Sequence, residues 1–148
     1  MEVRMDGRKA IITGGSAGLG MAMAMEFNRS GADVAIVGRR KEALDVAKEK
    51  IQSVGGGKII AIAADIRQAH DCEQVFNAAV QELGAIDILV NNAGTSQRGE
   101  FLEISDELWQ DDLDLKLFAA VRLSRLVIPS MRERRWGRII NVLNVGAK

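Results

Sequence analysis

The sequence contains no tyrosine. No phenol is on hand as an acid, so proton donation within these residues would fall to other groups. A single cysteine, Cys72, excludes an internal disulfide, and a cytoplasmic address is the expectation. Cys72 and His70 stand isolated from further ligands, so no metal site is expected. Twenty basic residues balance twenty acidic ones, leaving no net field to draw the chain to nucleic acid or to a membrane surface. No apolar run approaches the roughly 20 residues that span a bilayer, and residues 1–6 lack the apolar segment of a signal peptide.

What is present suits one domain, residues 1–148, with a real core: 47% of the residues are apolar and 27% charged. The pattern is organised around Thr13-Gly14-Gly15-Ser16-Ala17-Gly18-Leu19-Gly20. The apolar residues 9–12 before it suit a buried strand, and residues 21–27 after it are mostly helix formers. A strand that turns through glycines into a helix has a physical use. The helix start offers free N–H groups and the positive end of a dipole, and glycines admit a pyrophosphate close to the backbone.

The rest alternates in the same way. Strands are expected at 33–38, 58–63, 86–90 and 138–143, and amphipathic helices at 41–54 and 68–83. Gly31, the run Gly55-Gly56-Gly57, and Gly84 end the three helices that precede them. Ser105 reads as the N-cap of a helix carrying Leu108 and Trp109, and a longer helical stretch covers 112–135, interrupted only by Pro129. Such alternation implies a doubly wound, Rossmann-like α/β domain with a parallel sheet covered on both faces. The first two helices should share one face and the later ones the other, leaving strands four and five bare on the first face.

In such a sheet the ligand lies beyond the carboxyl ends of the strands, so the turns after strands one to four should line one crevice. A site selecting NAD places an acid roughly 20 residues past the glycine loop, against the ribose 2′-hydroxyl. Here Gly38 stands at that place, followed by Arg39 and Arg40. An arginine can grip a 2′-phosphate bidentately, which favours NADP over NAD, a solvated basic patch being the alternative. Asp65 can cap the following helix or accept from an adenine amino group. Asn91 and Asn92 suit turn geometry and also a contact with the nicotinamide half. Met21, Met23 and Met25 read as core filling, Asp111, Asp112 and Asp114 as a solvated face, and Arg132, Arg134 and Arg135 as a helix C-terminus.

These residues resemble the short-chain dehydrogenase/reductase family. Thr13-Gly14-x-x-x-Gly18-x-Gly20 is similar to its cofactor loop, Asn91-Asn92-Ala93-Gly94 to its NNAG turn, and residues 137–142 to its fifth strand. The resemblance covers essentially the whole chain. It implies NAD(P)-dependent interconversion of small alcohols and carbonyls, with Gly14, Gly15, Ser16, Gly18, Leu19, Gly20, Arg39, Asp65, Ile66, Asn92, Ala93 and Gly94 on the cofactor.

The family's catalytic set of asparagine, serine, tyrosine and lysine is not reproduced. Lys116 falls where asparagine is usual and Asn144 where serine is usual, and the tyrosine–lysine pair is absent. Family members are longer, so a chain cut after the fifth strand, a fragment inactive alone, is the expectation. The resemblance and the apolar residues Phe118, Leu123 and Val127 together imply a homo-oligomer formed through the 112–135 helix. Two functions fit: an oxidoreductase of this family, or a nucleotide-binding regulatory domain that keeps the crevice without the chemistry.

Overall fold

The computed structural model describes residues 3–95 and 99–143. Five strands, β1 (Lys9–Thr13), β2 (Asp33–Gly38), β3 (Ile59–Ala63), β4 (Ile88–Asn91) and β5 (Arg138–Asn141), form one parallel sheet in the order β3-β2-β1-β4-β5. The helices between them are α1 (Gly18–Arg29), α2 (Lys41–Gln52), α3 (Ala69–Leu83), α4 (Asp106–Leu113) and α5 (Ala119–Glu133). The strand order reverses at β1, whose Ile12 pairs with Ile36 on one side and Val90 on the other. Residues 10–12 and 34–37 are buried on both faces, which is why these strands read as unbroken apolar runs.

Each face has its own core. Leu44, Ala47 and Ile51 of α2 and Ala24 of α1 pack with Ile12, Ile36, Ile88 and Val90. Val75, Ala79 and Leu83 of α3 and Leu123, Val127 and Met131 of α5 pack with Ile11, Val37 and Leu89 on the other. The division of helices between faces is as the crossover rule requires. The expectation that β4 lies bare is corrected: Ile88 and Val90 are buried, because Met21, Met23 and Met25 pack with Trp136 on the same cluster. Long, adaptable methionine side chains extend the cover of α1 sideways. β5 stays open there, with Ile140 42% exposed.

The long helical stretch also differs from its sequence reading. Ser105 does cap α4, its hydroxyl accepting the Leu108 N–H at 3.3 Å. The helix then passes through a π-helical turn, Asp114–Phe118, and continues as α5 straight through Pro129. The turn inserts a residue and so rotates the apolar face. Beyond it Ala119, Leu123, Val127 and Met131 follow a four-residue spacing and are buried. Leu123 and Val127 therefore belong to the core, while Leu113, Leu117 and Phe118 are the exposed apolar residues.

At its end α5 closes on Arg135 with φ of 55°, Trp136 N–H reaching Met131 O and Arg135 N–H reaching Arg132 O. The preceding Arg134 is more than a dipole partner. Its Nη1 donates to the buried Asp87 Oδ1 at 2.5 Å and its Nη2 to Ile86 O at 2.6 Å. Asp87 Oδ2 accepts the Lys9 N–H, so one carboxylate ties α5 to the starts of β1 and β4. The guanidinium groups of Arg8 and Arg138 both lie over the Trp136 ring, 3.6 and 4.9 Å from its centroid.

The Gly55-Gly56-Gly57 run has a steric cause. A Cβ on Gly57 would collide with the Ala32 carbonyl, and one on Gly55 with the Asn28 side chain. Asn28, fully buried in α1, donates to Gly57 O at 2.7 Å and holds this loop against the helix.

Candidate functional site

The glycine loop and the turn after β4 meet where the strand order reverses. Thr13, at the end of β1, is buried, and its hydroxyl accepts the backbone N–H groups of both Asn92 and Ala93 at 3.0 Å. It is also placed to donate to Val90 O at 3.4 Å. The Asn92 side-chain amide donates back to Thr13 O at 3.1 Å. Two backbone turns from distant parts of the sequence are thereby one unit.

That closeness dictates the glycines. Gly14 has φ of 66°, and a Cβ there would lie 3.0 Å from Ala93 Cα. A Cβ on Gly20 would strike the Gly14 carbonyl and come within 2.6 Å of Asn92 Nδ2. Gly15 serves packing, since its N–H is engaged with Val37 O and its Cα lies against Ile36. Gly18 differs: its φ of 53° needs glycine, yet a Cβ there would meet nothing. Beside it α1 begins from an extended Ala17 with no side-chain cap. Open space at an uncapped helix start is suited to an anion.

The turns after β2 and β3 join this line. A Cβ on Gly38 would sit 3.5 Å from Ser16 Oγ, so the two turns touch. Ala64 N–H bonds Gly38 O at 2.9 Å. Arg39 and Arg40 are exposed just beyond. The Arg67 guanidinium holds the Asp65 carboxyl below the usual carboxylate range, the nearby charge of Arg39 adding to the effect. Ile66 turns its side chain into the core, and its carbonyl accepts from the buried Cys72 thiol. Leu19 is exposed at the first turn of α1.

Lys116 lies in the π-helical turn, and its Cε is 3.9 Å from where a Gly94 Cβ would stand. The chain therefore brings it to the flank of the 91–94 turn. Its Nζ is 2.9 to 3.0 Å from the Asp112 carboxylate oxygens. Asn144 lies outside the described residues.

The acids on this helix, read as a solvated face, make exposed contacts there. Asp112 takes Lys116, Asp111 takes Arg67 at 3.2 Å, and Asp114 takes Gln110 at 3.1 Å. Cys72 is buried with its thiol near Ile66 O at 3.3 Å, and burial pushes its pKa up, which suits packing rather than nucleophilic chemistry.

The sequence pattern contains Thr13 but assigns it no role, and it does not single out Arg67 or Arg122. A threonine before a glycine loop carries its own signal, because a hydroxyl at a strand end can accept from a neighbouring turn. Arg122 carries none, since its partner lies in another element, and the Asp65–Arg67 spacing by itself does not show the contacts that Asp111 and Arg122 add.

A parallel doubly wound sheet with a glycine loop opening an uncapped helix at its switch point defines a nucleotide-binding class of α/β protein. The chain belongs to the short chain dehydrogenase family, whose model matches residues 8–148. It is 36% identical over 146 residues to a short chain dehydrogenase of Pseudocercospora fijiensis, covering 97% of this chain and 47% of that one. Among solved structures it resembles L-sorbose reductase of Gluconobacter frateurii, complexed with NADPH and L-sorbose. The TM-score there is 0.89 at 36% identity, over 94% of this chain and 53% of that one. It also resembles a metagenomic short-chain oxidoreductase in complex with NADP, with a TM-score of 0.91 at 28% identity, over 97% and 65% of the two chains. The chain spans about half the length of the curated relatives it matches.

Proposed function

We propose that the protein is an NADP-preferring oxidoreductase acting between small alcohols and their carbonyl counterparts, with residues 1–148 as its nucleotide-binding domain and a cytoplasmic address. One observation carries this reading: Thr13 clamps the 91–94 turn onto the glycine loop beside an uncapped helix start with open space at Gly18. The residues present fit a dinucleotide. Gly14, Ser16, Gly18, Leu19 and Gly20 would take the pyrophosphate, Arg39 the 2′-phosphate, Asp65 and Ile66 the adenine, and Asn92, Ala93 and Gly94 the nicotinamide side. When bound, the nicotinamide supplies or accepts a hydride.

The relatives complexed with NADPH and NADP support the choice of cofactor, as does Gly38, which leaves no acid to repel a 2′-phosphate. Lys116 brings positive charge to the flank of the 91–94 turn, and with Asn144 it is our candidate for polar support of a substrate oxygen. Family membership supports this reading over a domain that binds nucleotide without chemistry. We also propose a homo-oligomer, whose interface includes the exposed Leu113, Leu117 and Phe118.

The test is a titration of the full-length protein with NADPH, followed by nicotinamide fluorescence. Saturable binding in the micromolar range, competed by NADP and weakened by Arg39→Ala, is expected. Failure to bind NADPH at millimolar concentration would overturn the reading.

A further inference from the structure

The loop after β3 holds a cluster built from four elements. Arg67 Nε lies 2.9 Å from Asp65 Oδ1 and 3.1 Å from Oδ2, and its Nη2 donates to Oδ2 at 2.6 Å. The Arg67 backbone N–H reaches Oδ1 at 3.2 Å. The other end of the guanidinium, Nη1, donates to Asp111 of α4 at 3.2 Å. Arg122 of α5 donates to the Arg67 carbonyl at 2.9 Å, and Asp71 in the first turn of α3 accepts the Asp65 N–H at 2.7 Å.

An ion pair between neighbours in a surface loop contributes little, because two mobile side chains must be ordered to make it. This pair is different. Asp65 and Arg67 are each little more than a quarter exposed, and the arginine is anchored at its backbone and at its far nitrogen. The planar guanidinium therefore acts as a fixed template for the carboxylate.

An ionised carboxylate offers about four lone-pair positions. Oδ1 receives the Arg67 N–H and Nε, and Oδ2 receives Nη2 and shares Nε. One acceptor position on Oδ2 remains beyond the clamp. A fixed carboxylate with a single remaining acceptor recognises a donor and disfavours an acceptor. An adenine presents an exocyclic amino group; a hypoxanthine presents a carbonyl oxygen in its place.

We propose that Arg67 is a positioning residue for base selection, fixing Asp65 so that adenine dinucleotides are preferred over their hypoxanthine counterparts. The proposal rests on the reading of Asp65 as the adenine acceptor and goes beyond it by assigning the selectivity to a residue two positions away. Asp111, 60% exposed, reaches the far nitrogen of the guanidinium at 3.2 Å and has the smaller share in holding it. A staple that merely fastens the loop to α4 would affect both bases alike.

The experiment measures the affinities of the full-length protein for NADPH and for its deaminated, hypoxanthine-containing form. A hydrogen bond to a charged group predicts that NADPH binds about tenfold or more tightly than the deaminated form. Arg67→Lys keeps the charge and loses the fork, and it should bring that ratio to within about threefold while the deaminated form binds almost as before. Asp111→Asn should lower the ratio in the same direction. A ratio kept near its original value in Arg67→Lys, or an equal loss for both forms, overturns the proposal. The underlying reading fails separately: if Asp65→Asn leaves the ratio intact, Asp65 is not the adenine acceptor and Arg67 has nothing to position.

Discussion

The hydroxyl of Thr13 accepts the Asn92 backbone N–H at 3.0 Å, although the two residues are 79 positions apart. That oxygen also takes the Ala93 N–H, so removing it orphans two donors in a part-buried turn. Thr13→Val keeps the shape and deletes the acceptor. We expect a loss of about 2–4 kcal/mol in urea unfolding, from two unsatisfied groups. Thr13→Ser should retain most of the stability. A Thr13→Val protein as stable as its parent would show that the two turns are held by packing alone.

Cofactor choice can be inverted at Gly38. A Cβ there would lie 3.4 Å from Leu44 and 3.5 Å from Ser16, ordinary contact distances, and its φ is not positive. Gly38→Asp should therefore fold while placing an acid against a 2′-phosphate. The expected outcome is a shift of tenfold or more, roughly 1.4 kcal/mol, in the NADPH-to-NADH affinity ratio toward NADH. An unchanged ratio in a folded protein would remove Gly38 and Arg39 from the selectivity site.

These 148 residues as an isolated polypeptide should show no dehydrogenase activity. Hydride transfer to a carbonyl leaves charge on oxygen, which needs a proton donor or a preorganised partner. There is no tyrosine among them, and Lys116 is paired with Asp112. The assay follows NADPH absorbance with a panel of ketones and aldehydes. Turnover above the no-protein rate, abolished by Lys116→Ala or Asn144→Ala, would reveal a different donor.

Association should depend on the outer face of the π-helical turn. Leu117 is 50% exposed beside Leu113 and Phe118, and none of them is needed by the core. Leu117→Asp should reduce the mass of the full-length protein in light scattering while leaving its thermal midpoint within a few degrees. A parent protein that is monomeric across micromolar concentrations would dismiss the interface.

Acid should weaken the fold partly through Asp65. Its folded pKa is lowered, chiefly by Arg67, so its stabilising contribution is complete above the unfolded value of about 3.9 and is lost as pH falls through the folded value. Asp65→Asn should accordingly cost about 1–2 kcal/mol at pH 7, and the difference from the parent should narrow as pH falls below about 4. A gap that stays constant from pH 7 down to pH 2 would contradict this.

The sequence by itself determined the alternation of strands and helices, because buried parallel strands are continuous apolar runs and their covering helices keep a 3.6-residue period. It also determined the glycine loop, the 91–94 turn and the absence of an acid at Gly38, since each is a local run of residue types. Tertiary structure alone decided which side chains act together. Arg67 owes its place to Asp111 and Arg122, Lys116 its flank position to Asp112 and a π-helical turn, and Arg134 its role to a buried aspartate 47 residues away. The inward-facing Leu123 and Val127 look no different in sequence from the exposed Leu113 and Leu117. One inserted residue in the helix separates them, and a helical period read from the chain cannot register a rotation imposed by packing.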